Sequence, residues 1–211
     1  MRPLKVGITG GIGSGKSGVS ELLRIAGIPV YDCDSEARRL MNTSPSLREA
    51  LTTLAGEDVY ASDSQAADAQ TGKVLNRRYL ADFMFGHPER VKAVNALVHP
   101  AVRKDFSAWT ERQGADIVGI ESAILFEAGM REDVDVTVLV FTPRDERIQR
   151  AMARDGATEE SVRARLSSQM PDVEKIPLVD FIICNAEADA ITPQVMELIK
   201  ELQNYKLGIK K

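Results

Sequence analysis

Residues 10–17, near the start of the chain, constrain its fold more than any other part of the sequence. They read Gly-Gly-Ile-Gly-Ser-Gly-Lys-Ser and match G-x-x-x-x-G-K-[ST], the pattern of a phosphate-binding loop, or P-loop. The run Leu4–Thr9 before it predicts a buried strand, and residues 17–26 after it place apolar side chains at helical spacing. Between a strand and a helix, glycines let successive amides point at phosphate oxygens, and the helix N-terminus adds its positive dipole end.

Two side chains of this loop have predictable roles. The Lys16 ammonium should reach the β- and γ-phosphates of a nucleotide, and the Ser17 hydroxyl should sit on Mg²⁺. The alternative is a glycine turn beside a surface lysine. The strand before the loop and the helix after it favour nucleotide-phosphate binding.

Strand-like runs alternate with helical patterns along the rest of the sequence, which predicts an α/β fold with a parallel five-stranded sheet flanked by helices. One of these runs is β-branched and almost entirely apolar, as is typical of a strand covered on both faces. The predicted strands are Leu4–Thr9, residues 29–31, Ile117–Glu121, Val136–Phe141 and Phe181–Cys184.

The alternation is interrupted twice. Residues 43–112 are mostly helical in pattern, apart from a polar, loop-like stretch at 58–73, and they predict a helical insertion that either shapes a substrate site or serves as scaffold. In residues 144–177, arginines at 147, 150 and 154 share one helical face, Gly156 breaks the helix and Thr158 begins another. This pattern is typical of an arginine-bearing lid in a small kinase. The alternative is a solvated helix pair held by ion pairs such as Glu146 with Arg150.

Acidic residues follow or end two of the predicted strands. In a parallel sheet that edge faces the ligand crevice, so we expect Asp32, directly after the second strand, to accept the proton of an attacking hydroxyl. Asp34 is expected to cap the next helix, although both carboxylates can instead be caps. Glu121 ends a strand at the position where an acid supports Mg²⁺, and Glu127 is a second acid near the same edge.

The two histidines both precede proline, at His87-Pro88 and His99-Pro100. Such a step is more often a turn or a helix boundary than part of a catalytic pair. His87 is expected in a surface loop. His99 follows an apolar helical face, so it is either packed or lines a site in the insertion.

Composition limits the class of protein. The formal net charge of −4 over 211 residues argues against a broad cationic face for nucleic acid. No apolar run is long enough to cross a bilayer, and the N-terminus lacks the pattern of a signal peptide. Only two cysteines occur, and no Cys or His cluster has zinc-ligand spacing. We expect a cytoplasmic protein without nucleic-acid or membrane partners.

Several separated motifs together resemble those of the dephospho-coenzyme A kinase family, in the same order and with similar spacing along nearly the whole chain. The matching segments are residues 7–17, residues 32–34, residues 76–80 with Phe85, residues 98–102, residues 125–127, Arg150 with residues 154–156, Arg165 with Gln169, and Asp180 followed by Asn185. The segment Ser122-Ala123-Ile124 departs from the family's V/I-P-L pattern before Leu-Phe-Glu, which weakens what can be inferred for Glu121 and Glu127.

The resemblance implies a kinase that uses Mg²⁺ and ATP to phosphorylate the ribose 3′-hydroxyl of dephospho-CoA, the last step of coenzyme A synthesis. It implies a P-loop core at residues 1–42 and 113–211, with a lid at about 144–177 and a dephospho-CoA-binding insertion at 43–112. Asp32 would be the base, with Lys16 and Arg150 also catalytic. Arg77 and His99 would lie on the acceptor side. The residues implied to bind ATP are Gly11, Ile12, Gly13, Ser14, Gly15, Lys16, Ser17, Arg150, Arg154 and Asn185, and those implied to support the metal are Ser17 and Glu121.

Two rival functions are compatible with a P-loop. One is a kinase for a nucleoside, nucleotide or sugar acid, which would share the loop and the lid. The other is a non-catalytic nucleotide switch, but the sequence lacks the N-K-x-D or T-K-x-D motif of a GTPase. We expect ATP and dephospho-CoA as partners and a monomer or small homo-oligomer.

Overall fold

The computed structural model describes residues 2–62 and 72–208. Every strand in this part of the chain is short, from three to six residues, and the longest two, Leu4–Thr9 and Val136–Phe141, are runs rich in β-branched and apolar residues. The strands are β1 (Leu4–Thr9), β2 (Val30–Asp32), β3 (Tyr60–Ser62), β4 (Lys73–Leu75), β5 (Ile117–Glu121), β6 (Val136–Phe141) and β7 (Phe181–Cys184).

Helices follow most of the strands. Several begin at residues that favour a helix start, such as a serine or asparagine whose side chain accepts a bond from the first turn. The helices are α1 (Lys16–Ile25), α2 (Cys33–Thr43), α3 (Pro45–Ala55), α4 (Arg77–Met84), α5 (Pro88–Arg112), α6 (Arg144–Asp155), α7 (Glu159–Ser167), α8 (Asp172–Lys175) and α9 (Ile191–Lys206).

The main sheet has five parallel strands in the order β2-β5-β1-β6-β7. Its middle strands are buried on both faces, and α1 and α9 supply apolar side chains to the same core. Parallel strands are joined by crossover connections, usually helices, and these helices pack on the two faces of the sheet and cover its apolar side chains. The predicted fold class, an α/β fold with a parallel five-stranded sheet flanked by helices, is confirmed.

Four of the five predicted strands have the bounds that the sequence indicated, and the second differs. β2 occupies Val30–Asp32 rather than residues 29–31, and Asp32 pairs with Glu121 of β5 as a full member of the sheet. The chain then enters α2 at Cys33 without a loop. Asp34 consequently lies inside the first turn of α2, so its predicted role as the helix cap is wrong; there its carboxylate complements the helix dipole.

Two compact units divide the chain. The sheet unit comprises Met1–Asp32 and Ala108–Lys211, and the helical unit comprises Cys33–Ser107. These bounds differ from the expected ones at 42/43 and 112/113. At the first boundary, two polar contacts join α2 to other parts of the helical unit. The Tyr60 hydroxyl donates to the Met41 carbonyl at 2.6 Å, and the Leu75 amide donates to Asn42 Oδ1 at 2.8 Å.

The helical unit corrects two further expectations. α5 runs without interruption through Pro100, so the second His-Pro step is not a helix boundary, whereas the first is, because α5 begins at Pro88. A proline inside a helix removes one backbone bond and is tolerated at a cost. The predicted loop at 58–73 is wrong at its ends, where β3 and β4 pair antiparallel. Residues 63–71 of that prediction lie outside the described residues.

No helix in the described ranges 2–62 and 72–208 is both long enough and apolar enough to cross a membrane.

Candidate active site

The P-loop joins β1 to α1 at the carboxyl edge of the sheet. Gly15 is the N-cap of α1 and has φ 85° and ψ 21°, a left-handed conformation that glycine adopts without strain. A Cβ at this position would also collide with the Asn185 side-chain amide. The geometry of a strand, a glycine turn and a helix start, which the motif requires, is therefore present.

The loop has a buried half and an open half. Gly11, Ile12 and Ser14 are buried, whereas Gly15 and Ser17 are exposed at the start of α1. Orphan amides at an exposed helix N-terminus are suited to bind an anion, because they lack partners within the helix and carry the positive dipole end. The open half is thus the part of the loop that can receive phosphate.

Asp32 and Glu121 occupy neighbouring positions at the same sheet edge. They are register partners in β2 and β5, and Glu121 is in turn the register partner of Ile8 in β1, the strand that leads into the P-loop. Adjacent strands are about 4.8 Å apart. Asp32 is half-buried, and Glu121 is 9% exposed. The sheet therefore brings together the two acids that the sequence singled out, beside the loop.

Glu121 also contacts the P-loop directly. The Ser17 hydroxyl donates to Glu121 Oε1 at 3.2 Å. A hydroxyl and a carboxylate are hard oxygen donors of the type that Mg²⁺ prefers, and Mg²⁺ in phosphoryl-transfer sites takes its other ligands from water and phosphate. Within the described residues, no group of three or more His, Cys, Asp or Glu is arranged to hold a metal. The donor set fits an ion that arrives with a nucleotide.

Replacing Glu121 by glutamine should raise the Mg²⁺ concentration needed for half-maximal activity by about 10- to 100-fold, because outer-shell partners of a metal affect its affinity by that factor. The turnover number at saturating Mg²⁺ should change much less. Glu197→Gln is the matched control, since Glu197 is exposed on α9, where it pairs with Lys200. A Mg²⁺ titration that is the same for Glu121→Gln and the wild type would contradict the assignment.

A hydrogen-bonded network ties the P-loop to the segments after β6 and β7. The Ser14 carbonyl accepts from the Thr142 hydroxyl at 3.0 Å and from Asn185 Nδ2 at 2.8 Å. The Asn185 carbonyl accepts from Thr142 and, at 2.8 Å, from Arg150 Nη1, while Arg150 also pairs with Glu146 at 3.3 Å. Two residues expected at the ATP site, Arg150 and Asn185, are thus held together at the P-loop.

Arg154 forms an ion pair at the end of α6, with Asp155. Its Nε atom donates to Asp155 Oδ1 at 2.7 Å, and Arg165 binds the other oxygen of Asp155 at 2.8 Å. These two arginines hold the pKa of the Asp155 carboxyl well below its usual range. The helix break that the sequence predicted here is confirmed, since α6 ends at the left-handed Gly156 and the Thr158 hydroxyl accepts from the first turn of α7.

Glu127 anchors the segment around α8. Its Oε1 atom accepts from the Met170 amide at 2.7 Å and lies 3.5 Å from Lys175 Nζ. The Lys175 side chain is fully buried and also donates to the Ala123 carbonyl at 3.2 Å. A buried cation needs such partners. Glu127 therefore has a structural role that its place in the sequence did not reveal.

The two residues expected on the acceptor side belong to the helical unit. Arg77 is the first residue of α4 and is exposed. His99 is half-buried in α5, where burial lowers the pKa of its imidazole and so favours the neutral ring.

Sequence reasoning missed Thr142, whose hydroxyl bridges Ser14 and Asn185. Its position directly after a buried strand, at the edge where ligands bind, was a usable signal. It also grouped Gln169 only with Arg165, whereas Gln169 Oε1 accepts from the Ile12 amide at 3.0 Å. No local pattern indicates that contact, which joins residues 157 positions apart.

Comparison with known proteins identifies close relatives. The family model for dephospho-CoA kinase matches residues 4–190. A dephospho-CoA kinase of Bacteroides fragilis is 41% identical over 197 residues, which are 93% of this chain and 91% of the relative. Protein TT1252 from Thermus thermophilus has a crystal structure that superposes with a TM-score of 0.79 at 36% identity, covering 97% of this chain and 98% of that one. Dephospho-CoA kinase from Campylobacter jejuni shares the fold, with a TM-score of 0.59 at 21% identity over 94% of this chain and 96% of that one.

Proposed function

Because the chain belongs to the dephospho-CoA kinase family, we propose that it transfers the γ-phosphoryl group of ATP to the ribose 3′-hydroxyl of dephospho-CoA, giving coenzyme A and ADP. The observation that carries this proposal is the register of Asp32 with Glu121 beside the P-loop. It supplies a carboxylate for the hydroxyl and oxygen donors for Mg²⁺ at one edge of the sheet.

Asp32 is the base in this proposal. Its carboxylate orients the 3′-hydroxyl and takes its proton as the oxygen forms a bond to the γ-phosphorus. The bond between that phosphorus and the β,γ-bridging oxygen breaks at the same time, and its electron pair leaves on ADP. Asp32 is suited to this role because it is half-buried at the strand end, so its carboxylate reaches the edge where ligands bind.

The P-loop binds and polarises the donor. Lys16 neutralises charge on the β- and γ-phosphates, and the amides from Gly13 to Ser17 bind their oxygens. Ser17 and Glu121 would hold the Mg²⁺ that accompanies ATP, which would supply charge neutralisation on the phosphates. We propose that residues 144–177 act as the lid, with Arg150 and Arg154 stabilising the charge that develops on the transferred group and excluding water.

We assign acceptor binding to the helical unit, with Arg77 and His99 as contacts. An exposed guanidinium is suited to the diphosphate charge of dephospho-CoA, and a neutral imidazole donates a hydrogen bond through one ring nitrogen and accepts one through the other. The cytoplasmic location, the lack of nucleic-acid and membrane partners and the monomer or small homo-oligomer expected from the sequence belong to this proposal and stay predictions.

An acceptor panel tests the proposal. ADP release with Mg-ATP would be compared for dephospho-CoA, several nucleosides and nucleotides, and gluconate. Mass spectrometry of each product would show whether one phosphoryl group has been added. We expect turnover with dephospho-CoA alone. Turnover on another acceptor, with dephospho-CoA inert, would keep the P-loop kinase but overturn the acceptor assignment.

A further inference from the structure

Ile12, in the buried half of the P-loop, is packed into the segment expected to form the lid. Its side chain is 9% exposed and belongs to an apolar cluster with Ile148 and Ala151 of α6 and Val162 of α7. Apolar clusters of this kind stabilise the elements that they join. The tip of the P-loop and the two helices therefore form one packed unit.

Both backbone polar atoms of Ile12 are also held by that segment. Its amide donates to Gln169 Oε1 at 3.0 Å, and its carbonyl accepts from Arg147 Nε at 3.0 Å. The amide belongs to the peptide between Gly11 and Ile12, and the carbonyl belongs to the peptide between Ile12 and Gly13, so these two bonds hold the two peptide units that flank Ile12. The Ile12–Gly13 peptide, which Arg147 holds through its carbonyl, also carries the Gly13 amide, the first of the amides expected to bind phosphate.

Arg147 is itself fixed. Its side chain is 8% exposed and forms an ion pair with Asp172, whose side chain is 7% exposed. Burial lowers the pKa of the Arg147 guanidinium and Asp172 opposes that shift. Arginine nevertheless stays protonated in proteins, so the buried cation depends on this partner. The ion pair thereby holds the Nε atom at the P-loop carbonyl.

Gly11 leaves the room that this arrangement needs. A Cβ at Gly11 would coincide with the guanidinium of Arg147, although the backbone of Gly11 has no positive φ and would itself accept alanine. The missing side chain at Gly11 and the buried guanidinium of Arg147 are therefore complementary in shape. This provides a reason for a glycine at a position of the motif that is not specified by the P-loop pattern.

We propose that Arg147 is a positioning residue for phosphate binding: held by Asp172, it fixes the Ile12 carbonyl and so presets the P-loop amides for the β- and γ-phosphates. Arg147 acts through Ile12 and does not itself touch the nucleotide. This inference rests on the nucleotide-binding part of the proposed function and is independent of which acceptor is used.

The test measures binding of Mg-ADP and AMP by calorimetry, without an acceptor. In Arg147→Ala, Mg-ADP should bind about tenfold more weakly, which corresponds to about 1.4 kcal/mol. AMP lacks the β-phosphate and should change less than twofold. Arg147→Lys keeps the charge but not the guanidinium fork, so its affinity for Mg-ADP should lie between those of the wild type and Arg147→Ala. A merely structural role would lower the melting temperature and the fraction of active sites while leaving both dissociation constants unchanged.

Arg144→Ala is the matched control. Arg144 lies one turn earlier on α6 and carries the same charge, and it contributes unfavourably to the charged state of Arg147. Its loss should change the Mg-ADP dissociation constant less than twofold. Equal weakening in Arg144→Ala and Arg147→Ala would show that the local positive charge matters and not the bond to Ile12, and it would overturn the proposal.

Gly11→Ala alone keeps the proposal testable if Arg147→Ala is poorly folded, and where Arg147→Ala folds the two variants form a double-mutant cycle. Gly11→Ala should displace the guanidinium and weaken Mg-ADP binding about as much as Arg147→Ala does. In the Gly11→Ala/Arg147→Ala double variant the two effects should not add, because the space is then empty. Full additivity would mean that Gly11 serves the close approach of phosphate and that Arg147 does not position the loop.

Because these experiments use nucleotide binding alone, their outcome is separable from the proposed reaction. If Arg147→Ala weakens Mg-ADP binding as expected but the wild-type protein does not turn over dephospho-CoA, only the assignment of the acceptor would be contradicted. Turnover of dephospho-CoA with unchanged Mg-ADP binding in Arg147→Ala would contradict only the positioning role.

Discussion

Asp32→Asn is expected to lower kcat by about 10²- to 10⁴-fold, the range that a general base contributes. The amide keeps the size of the side chain and its place at the end of β2, but it cannot accept the proton of the acceptor hydroxyl. The dissociation constant for Mg-ATP should change little, because the phosphates are bound by the P-loop. Steady-state kinetics with dephospho-CoA, together with calorimetry of nucleotide binding, would measure both quantities.

The neighbouring carboxylate supplies the comparison for this variant. Asp34 is exposed in the first turn of α2, two residues from Asp32, and its replacement by asparagine should cost much less turnover. A larger loss of turnover in Asp34→Asn than in Asp32→Asn would show that Asp34, and not Asp32, is the base. An Asp32→Asn protein that keeps most of its turnover would exclude Asp32 as the base.

Lys16→Ala is expected to weaken Mg-ATP binding and to lower kcat by about 10²- to 10³-fold, similar to the loss of one strong donor to transition-state charge. The ammonium at the start of α1 is needed in both the ground state and the transition state, so both quantities should fall, in contrast to Asp32→Asn. Calorimetry with Mg-ATP and a turnover assay would be run on the same preparation.

Lys200→Ala controls for the loss of a lysine. Lys200 lies on the exposed face of α9, where it pairs only weakly with Glu197, and its removal should change neither ATP affinity nor turnover. Wild-type ATP affinity in Lys16→Ala would count against the P-loop assignment, whatever the effect on turnover.

The core of the fold could be predicted because its signals are local. The strand Val136–Phe141 is a run of β-branched and apolar residues, and the structure gives it the predicted bounds. The same holds for the glycine turn and helix start after Leu4–Thr9. The predicted second strand, residues 29–31, lies one residue before the observed β2. The reason is that Asp32 is polar, which on local pattern favours a position after the strand, although it pairs with Glu121 in the sheet.

Other features depended on tertiary contacts that no local pattern encodes. The ion pair between Glu127 and the buried Lys175 is one, since it joins residues far apart in the sequence. The bonds that hold Ile12 are another, because they join the P-loop to Arg147 and Gln169, far along the chain. The sequence placed Arg147 on the correct helical face, but its burial against Asp172 follows only from the packing of α6 and α8.

The most direct test of the central claim is the position of the new phosphate in the product made from dephospho-CoA and Mg-ATP. A phosphorus–proton correlation spectrum of the purified product would identify the carbon that carries the added group. The account predicts coupling of the new phosphorus to the ribose 3′ proton, together with the mass of coenzyme A. Coupling to the 2′ proton or to the pantetheine arm, or no phosphorylated product, would contradict it.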